Sequence, residues 1–193
     1  GTQNTFIGGL VGDTTTTASS NTAVGYNAFT ANTTGAENVA MGTFCLEANT
    51  TGANNVAIGH RALDANTSAN NNTAVGFAAL GANTTGTENT AVGKGALDAN
   101  TTGNNSVAFG RDSLTDNTTG SNNTGLGDNA LANNTTADNN TAVGKNALVA
   151  NITGAGNTAI GRSSQLTSTT GTNNTSVGLD SLEDLTNGAD NTA

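Results

Sequence analysis

The chain has 193 residues, a net charge of −9 and only 10% charged residues, with 26 glycines, no proline, no tryptophan and 3% aromatics. Five basic residues against 14 acidic ones exclude a nucleic-acid groove, which needs clustered Lys and Arg, and disfavour adsorption to anionic lipid. No apolar run of about 18 residues exists to cross a membrane, and the low charge and missing proline separate the chain from ordinary disordered segments.

The first predicted element is a short strand, Asn4-Thr5-Phe6-Ile7, closed by Gly8. The same element ends at Gly25, Gly42, Gly59, Gly76, Gly93, Gly110, Gly127, Gly144, Gly161 and Gly178, an interval of 17 residues with no insertion. A fixed period of this kind is the mark of a repeat architecture. Before each glycine stands an apolar column that includes Val24, Ile58, Val75 and Val92. Two residues earlier stands a column of Thr or Val, such as Thr73 and Thr90. Side chains alternate along a strand, so these two columns share one face. Between them runs a column of small residues pointing the other way, including Ala40, Ala57, Ala74, Ala91 and Ala108.

The second predicted element follows four residues past the glycine, where a large apolar column contains Leu63, Leu80, Leu97 and Leu114. Next comes an Asn column (Asn32, Asn49, Asn66, Asn83, Asn100, Asn117, Asn134, Asn151) that leads into Thr-Thr-Gly. A second Asn column opens each strand, as at Asn72 and Asn89. Gly, Thr and Asn are poor helix formers, and the apolar spacing is not a helical stripe. One object fits: an all-β parallel β-solenoid, or β-roll, of eleven 17-residue coils with like residues stacked about 4.8 Å apart. Its length is then about 50 Å.

The expected core ladder is Val24, Ile58, Val75 and Val92 with Leu63, Leu80, Leu97 and Leu114. Stacked Asn amides form ladders at the corners. The alanines Ala40, Ala57, Ala74, Ala91 and Ala108 then form an outward strip suited to close chain–chain contact. Together with a thin core, that strip predicts a homotrimeric fibre. The alternative is that these alanines pack inside a coil too narrow for larger groups.

Residues 1–193 read as a single repeat domain, a segment of a longer fibre, with less regular ends at 1–18 and 179–193. The Leu column fails at Gly12 and Gln165, and Leu185 stands where an Asn is expected.

The stretches "NNSVAFG", "NNVAIG" and "GNTAIG" resemble the head repeats of trimeric autotransporter adhesins, and the longer unit "NTAVGxxALxANTTGxx" is similar to repeats of bacteriophage tail fibres. The resemblance implies a β-roll in a trimer, extracellular, on a bacterial cell surface or a virion. The implied role is a rigid structural or adhesive spacer that contacts host glycans or surfaces.

No catalytic constellation, metal-ligand spacing or cofactor-binding motif is present, so no enzyme, metal or cofactor is expected. The position after the glycine is chemically free: Tyr26, His60, Phe77, Lys94, Arg111, Lys145 and Arg162 form a line of large or basic groups there, the candidate surface-binding column. Glu47, Asp64 and Asp98 share a column that reads as a solvated face, and Cys45 reads as a small packed side chain. Asn-Thr-Thr matches the glycosylation sequon at Asn83 and its equivalents, a match the repeat generates by itself. The alternative function is an ice-binding solenoid presenting Thr ladders, with Thr33, Thr50, Thr67, Thr84, Thr101, Thr118 and Thr135 in one column and Thr34, Thr51, Thr85, Thr102, Thr119, Thr136 and Thr153 in the next.

Overall fold

The computed structural model describes residues 1–193. Eleven three-residue strands follow one another: β1 (Thr5–Ile7), β2 (Thr22–Val24), β3 (Val39–Met41), β4 (Val56–Ile58), β5 (Thr73–Val75), β6 (Thr90–Val92), β7 (Val107–Phe109), β8 (Thr124–Leu126), β9 (Thr141–Val143), β10 (Thr158–Ile160) and β11 (Thr175–Val177). They form a single parallel sheet in sequence order. The register is one coil throughout, as in Thr73↔Thr90, Ala74↔Ala91 and Val75↔Val92. The rest of each coil is turn. Only 20 of 121 backbone hydrogen bonds lie within strands, so the turns supply most of the ladder joining coil to coil.

Each strand stops because the following glycine adopts a conformation that L side chains rarely reach. Gly76 has φ +141°, and a Cβ there would come 2.6 Å from the Gly93 carbonyl carbon of the next coil. Backbone stacks on backbone at that corner, which leaves no room for a side chain.

The sheet faces the opposite way from the expected one. Ala40, Ala57, Ala74, Ala91 and Ala108 point inward and are completely buried. The Thr column and the Val24, Ile58, Val75 and Val92 column point outward, and Ile58 is 38% exposed. Volume explains the choice. Leu63, Leu80, Leu97 and Leu114 reach across from the opposite wall, are completely buried, and fill the narrow interior. Each meets a wall of alanine, and a second branched side chain from the strand would overpack a space already filled. An outward alanine strip for chain–chain contact therefore does not exist. The four apolar residues Val24, Ile58, Val75 and Val92 are not core.

The inward leucines occupy the left-handed region, with φ 51° at Leu80 and 52° at Leu97. That conformation costs about 1–2 kcal/mol for a non-glycine residue. Burial of the side chain, worth about 2 kcal/mol, is a term of the same size and opposite sign.

Two Asn ladders line the interior. In the first, Asn100 Nδ2 donates to Asn83 Oδ1 at 2.8 Å and to the Gly103 carbonyl of its own coil at 3.1 Å. In the second, Asn72 Oδ1 accepts from the Asn89 backbone N–H at 3.0 Å, and Asn72 Nδ2 donates to the Gly86 carbonyl at 2.9 Å. These buried amides satisfy turn groups that the sheet leaves unpaired. The sequon residue Asn83 is likewise completely buried and bonded.

Candidate functional site

No pocket opens on the rod, and no three His, Cys, Asp or Glu side chains converge as a metal site would require. No helix is long and apolar enough to cross a membrane. What the molecule offers is surface of high regularity, in two adjoining parts.

The first part is the outer face of the sheet. Each strand contributes two outward positions, Thr or Val and then an apolar residue. None of the 22 positions carries a charge, although the chain as a whole is at −9. Thr73/Val75 and Thr90/Val92 repeat the same pair on neighbouring strands. Larger groups interrupt the pattern at Met41, Phe109 and Leu126, which are 43%, 58% and 37% exposed. The hydroxyls of Thr73, Thr90 and Thr141 make no hydrogen bond within the chain and are free for solvent. The column of Thr33, Thr50, Thr67, Thr84, Thr101, Thr118 and Thr135 differs. There each Oγ1 donates to the carbonyl one coil on, Thr84 to Thr101 at 3.0 Å, for example. Its hydroxyls hold the coils together. The neighbouring column, Thr34, Thr51, Thr85, Thr102, Thr119, Thr136 and Thr153, is exposed but lies on a turn. The free Thr array is therefore on the strands, in the column that the sequence places on the inward face together with Val75 and Val92.

The second part is the corner just past the strand glycine. Tyr26, His60, Phe77, Lys94, Arg111, Lys145 and Arg162 are all exposed there. Arg61, one residue further on, completes the chain's five basic residues, so every Lys and Arg lies at this corner. Most are paired: Arg111 with Asp128 at 2.8 Å, Lys145 with the same Asp128 at 3.7 Å, Arg162 with Asp180 at 3.5 Å, and Arg61 with Asp64 at 3.4 Å. Lys94 makes no ion pair within the chain. The basic groups thus neutralise local carboxylates instead of forming an anion-binding stripe.

On the preceding coils the same corner is aromatic. Tyr26 meets Phe44 edge-on with centroids 5.9 Å apart, Phe44 meets His60 edge-on at 5.9 Å, and His60 lies parallel to Phe77 at 5.4 Å. Phe44 is absent from the column read off the sequence because Thr43 holds the position after its glycine. Phe44 itself has φ 58°, which turns its side chain back to the same corner.

The acidic column is half-buried. Burial raises the carboxyls of Asp64 and Asp98 above the ordinary range, with Arg61 opposing the rise at Asp64 and Asp112 adding to it at Asp98. Cys45 replaces an inward alanine, its Sγ donates to the Gly42 carbonyl at 2.9 Å, and burial pushes its thiol up to about 12. That thiol is inert packing.

Comparison of the chain with protein-family models, with curated proteins and with solved structures returns no match. The rod is a rigid repetitive solenoid of the kind that fits a structural or fibrous role, and its surface chemistry bears the functional reading.

Proposed function

We propose that this solenoid binds ice through the outer face of its sheet. The observation that carries the reading is an outward, uncharged array in register over eleven strands: the first outward position is Thr in eight strands and Val in three, the second is apolar in all, and the Thr hydroxyls are free of partners inside the chain. A ligand for such a face needs no pocket. It must be flat and periodic, and it must accept hydrogen bonds from hydroxyls while tolerating methyl groups between them. An ice surface has those properties. The β-branched methyls order adjacent water, and the Thr hydroxyls anchor it. The proposed activity has no catalytic step and needs no cofactor. Thermal hysteresis measured against an equal concentration of serum albumin tests the reading. Hysteresis above that control, with faceted ice growth, supports it, and freezing indistinguishable from albumin rejects it.

A second reading is favoured by one specific observation. Met41, Phe109 and Leu126 extend from the same face further than a flat ice plane accommodates, and Ile7, Ile58 and Ile160 add apolar surface. Monomeric proteins rarely expose contiguous apolar patches of this kind. In this reading the sheet, not the alanine column, is covered by two further copies of the chain, and the homotrimer is a structural or adhesive fibre segment outside a cell or on a virion. Light scattering coupled to size exclusion separates the two: a monomer leaves the face open to ice, and a stable trimer covers it.

A further inference from the structure

We propose that the ring ladder Tyr26–Phe44–His60–Phe77 is a binding strip for an extended, neutral, β-linked polysaccharide. The chain has only five Phe, one Tyr and no Trp, yet three of these six rings and the single His occupy four consecutive coils at one corner. Tyr26 and Phe77, at the two ends, remain 53% and 52% exposed. Coil stacking does not require rings here, because the position is filled elsewhere by Thr43, Lys94, Arg111 and Asp128 without change in register. An exposed aromatic cluster in so aromatic-poor a chain calls for a ligand with an apolar face.

A pyranose ring has one: its C–H groups stack on aromatic carbon while its hydroxyls project from the rim. Planar polar groups that bind adjacent hydroxyls in pairs flank the ladder. Arg61 and Asp64 pair at 3.4 Å, and Glu47 accepts from Asn27 Nδ2 at 3.3 Å. The strip runs straight along the rod for about 14 Å, three coil intervals, which suits a ribbon-like β-linked chain and not a coiled α-glucan. The carboxylates alongside and the net charge of −9 oppose a polyanion.

Tyr26 is the only Tyr and no Trp is present, so intrinsic fluorescence reads this site directly. Cellohexaose and chitohexaose serve as β-linked probes, maltohexaose as the coiled comparator and polygalacturonate as the anionic one. A saturable change in Tyr26 emission is expected with at least one β-linked probe, and calorimetry supplies the affinity where the fluorophore is removed. The variants Tyr26→Thr and Phe77→Lys take the residues that other coils carry at this position, so the coil accommodates them. Each is expected to weaken binding about tenfold with unchanged melting. Neither touches the sheet, so thermal hysteresis is expected to persist in both. Absence of binding by both β-linked probes overturns the proposal. So does undiminished binding by the Tyr26→Thr/Phe77→Lys double variant, or tighter binding of maltohexaose or polygalacturonate.

Discussion

Ser113 Oγ donates to the Gly125 carbonyl across adjacent coils at 2.9 Å. Both residues depart from the repeat. Ser113 stands where most coils have an inward alanine, and Gly125 is the one glycine in the strand's inward alanine column. The added oxygen occupies the space of the deleted methyl: a Cβ at Gly125 would lie 2.5 Å from that Oγ. The two changes form one packing unit.

The Gly125→Ala variant is therefore expected to lose about 1–3 kcal/mol by overpacking. Adding Ser113→Ala is expected to return the melting temperature to the wild-type value or above. A double-mutant cycle by thermal denaturation checks this, and additive effects would show that the pair is not coupled.

A second irregularity predicts stabilisation. The first Asn ladder runs from Asn32 to Asn151 and stops at Ser168, leaving Asn151 Oδ1 and Ser168 Oγ buried without partners. In Ser168→Asn the new amide stands where every earlier rung donates to the coil before it. It is expected to add about 1 kcal/mol, measured as a rise in the denaturation midpoint.

The period, the number of coils, the register and the leucine and asparagine columns are all legible in the sequence, because a solenoid converts sequence period directly into spatial stacking. The facing direction of the sheet is not. Alternation of Thr73, Ala74 and Val75 is symmetric between inside and outside, and ordinary hydrophobicity places Val75 inward. The interior has room for one large group per coil, and Leu80 takes it. That decision depends on cross-section, which no single column reveals. The ring ladder is half-legible for a similar reason: Tyr26, His60 and Phe77 share a column, whereas Phe44 joins them only through its left-handed backbone.

Asp98 gives a pH-dependent prediction. Burial raises its carboxyl, so the folded chain binds its proton more tightly than the unfolded chain does. The cost of holding it charged is present in full above the folded pKa, and it disappears as the pH falls below the unfolded value near 3.8. Asp98→Asn is expected to raise the melting temperature at pH 7, with the difference from wild type vanishing at about pH 3. A benefit that persists unchanged at the lower pH would contradict the burial argument.

The proposed ice-binding face predicts a contrast between two threonine columns. Thr90→Lys places a charge on the outer sheet and is expected to abolish most thermal hysteresis with little loss of stability. Thr101→Val removes a hydroxyl that bonds the Thr118 carbonyl at 3.0 Å. It is expected to cost about 1 kcal/mol and to leave hysteresis intact.

The orientation of the sheet is tested most directly by thiol labelling in a Cys45→Ala background. Single cysteines are placed at the neighbouring positions Ala91 and Val92, and their reaction with a maleimide is followed in the native and the denatured protein. In the native rod Ala91→Cys is expected to stay unreactive until denaturant is added, whereas Val92→Cys in the monomer reacts readily. A native Ala91→Cys rod that labels as fast as the unfolded chain would contradict the account.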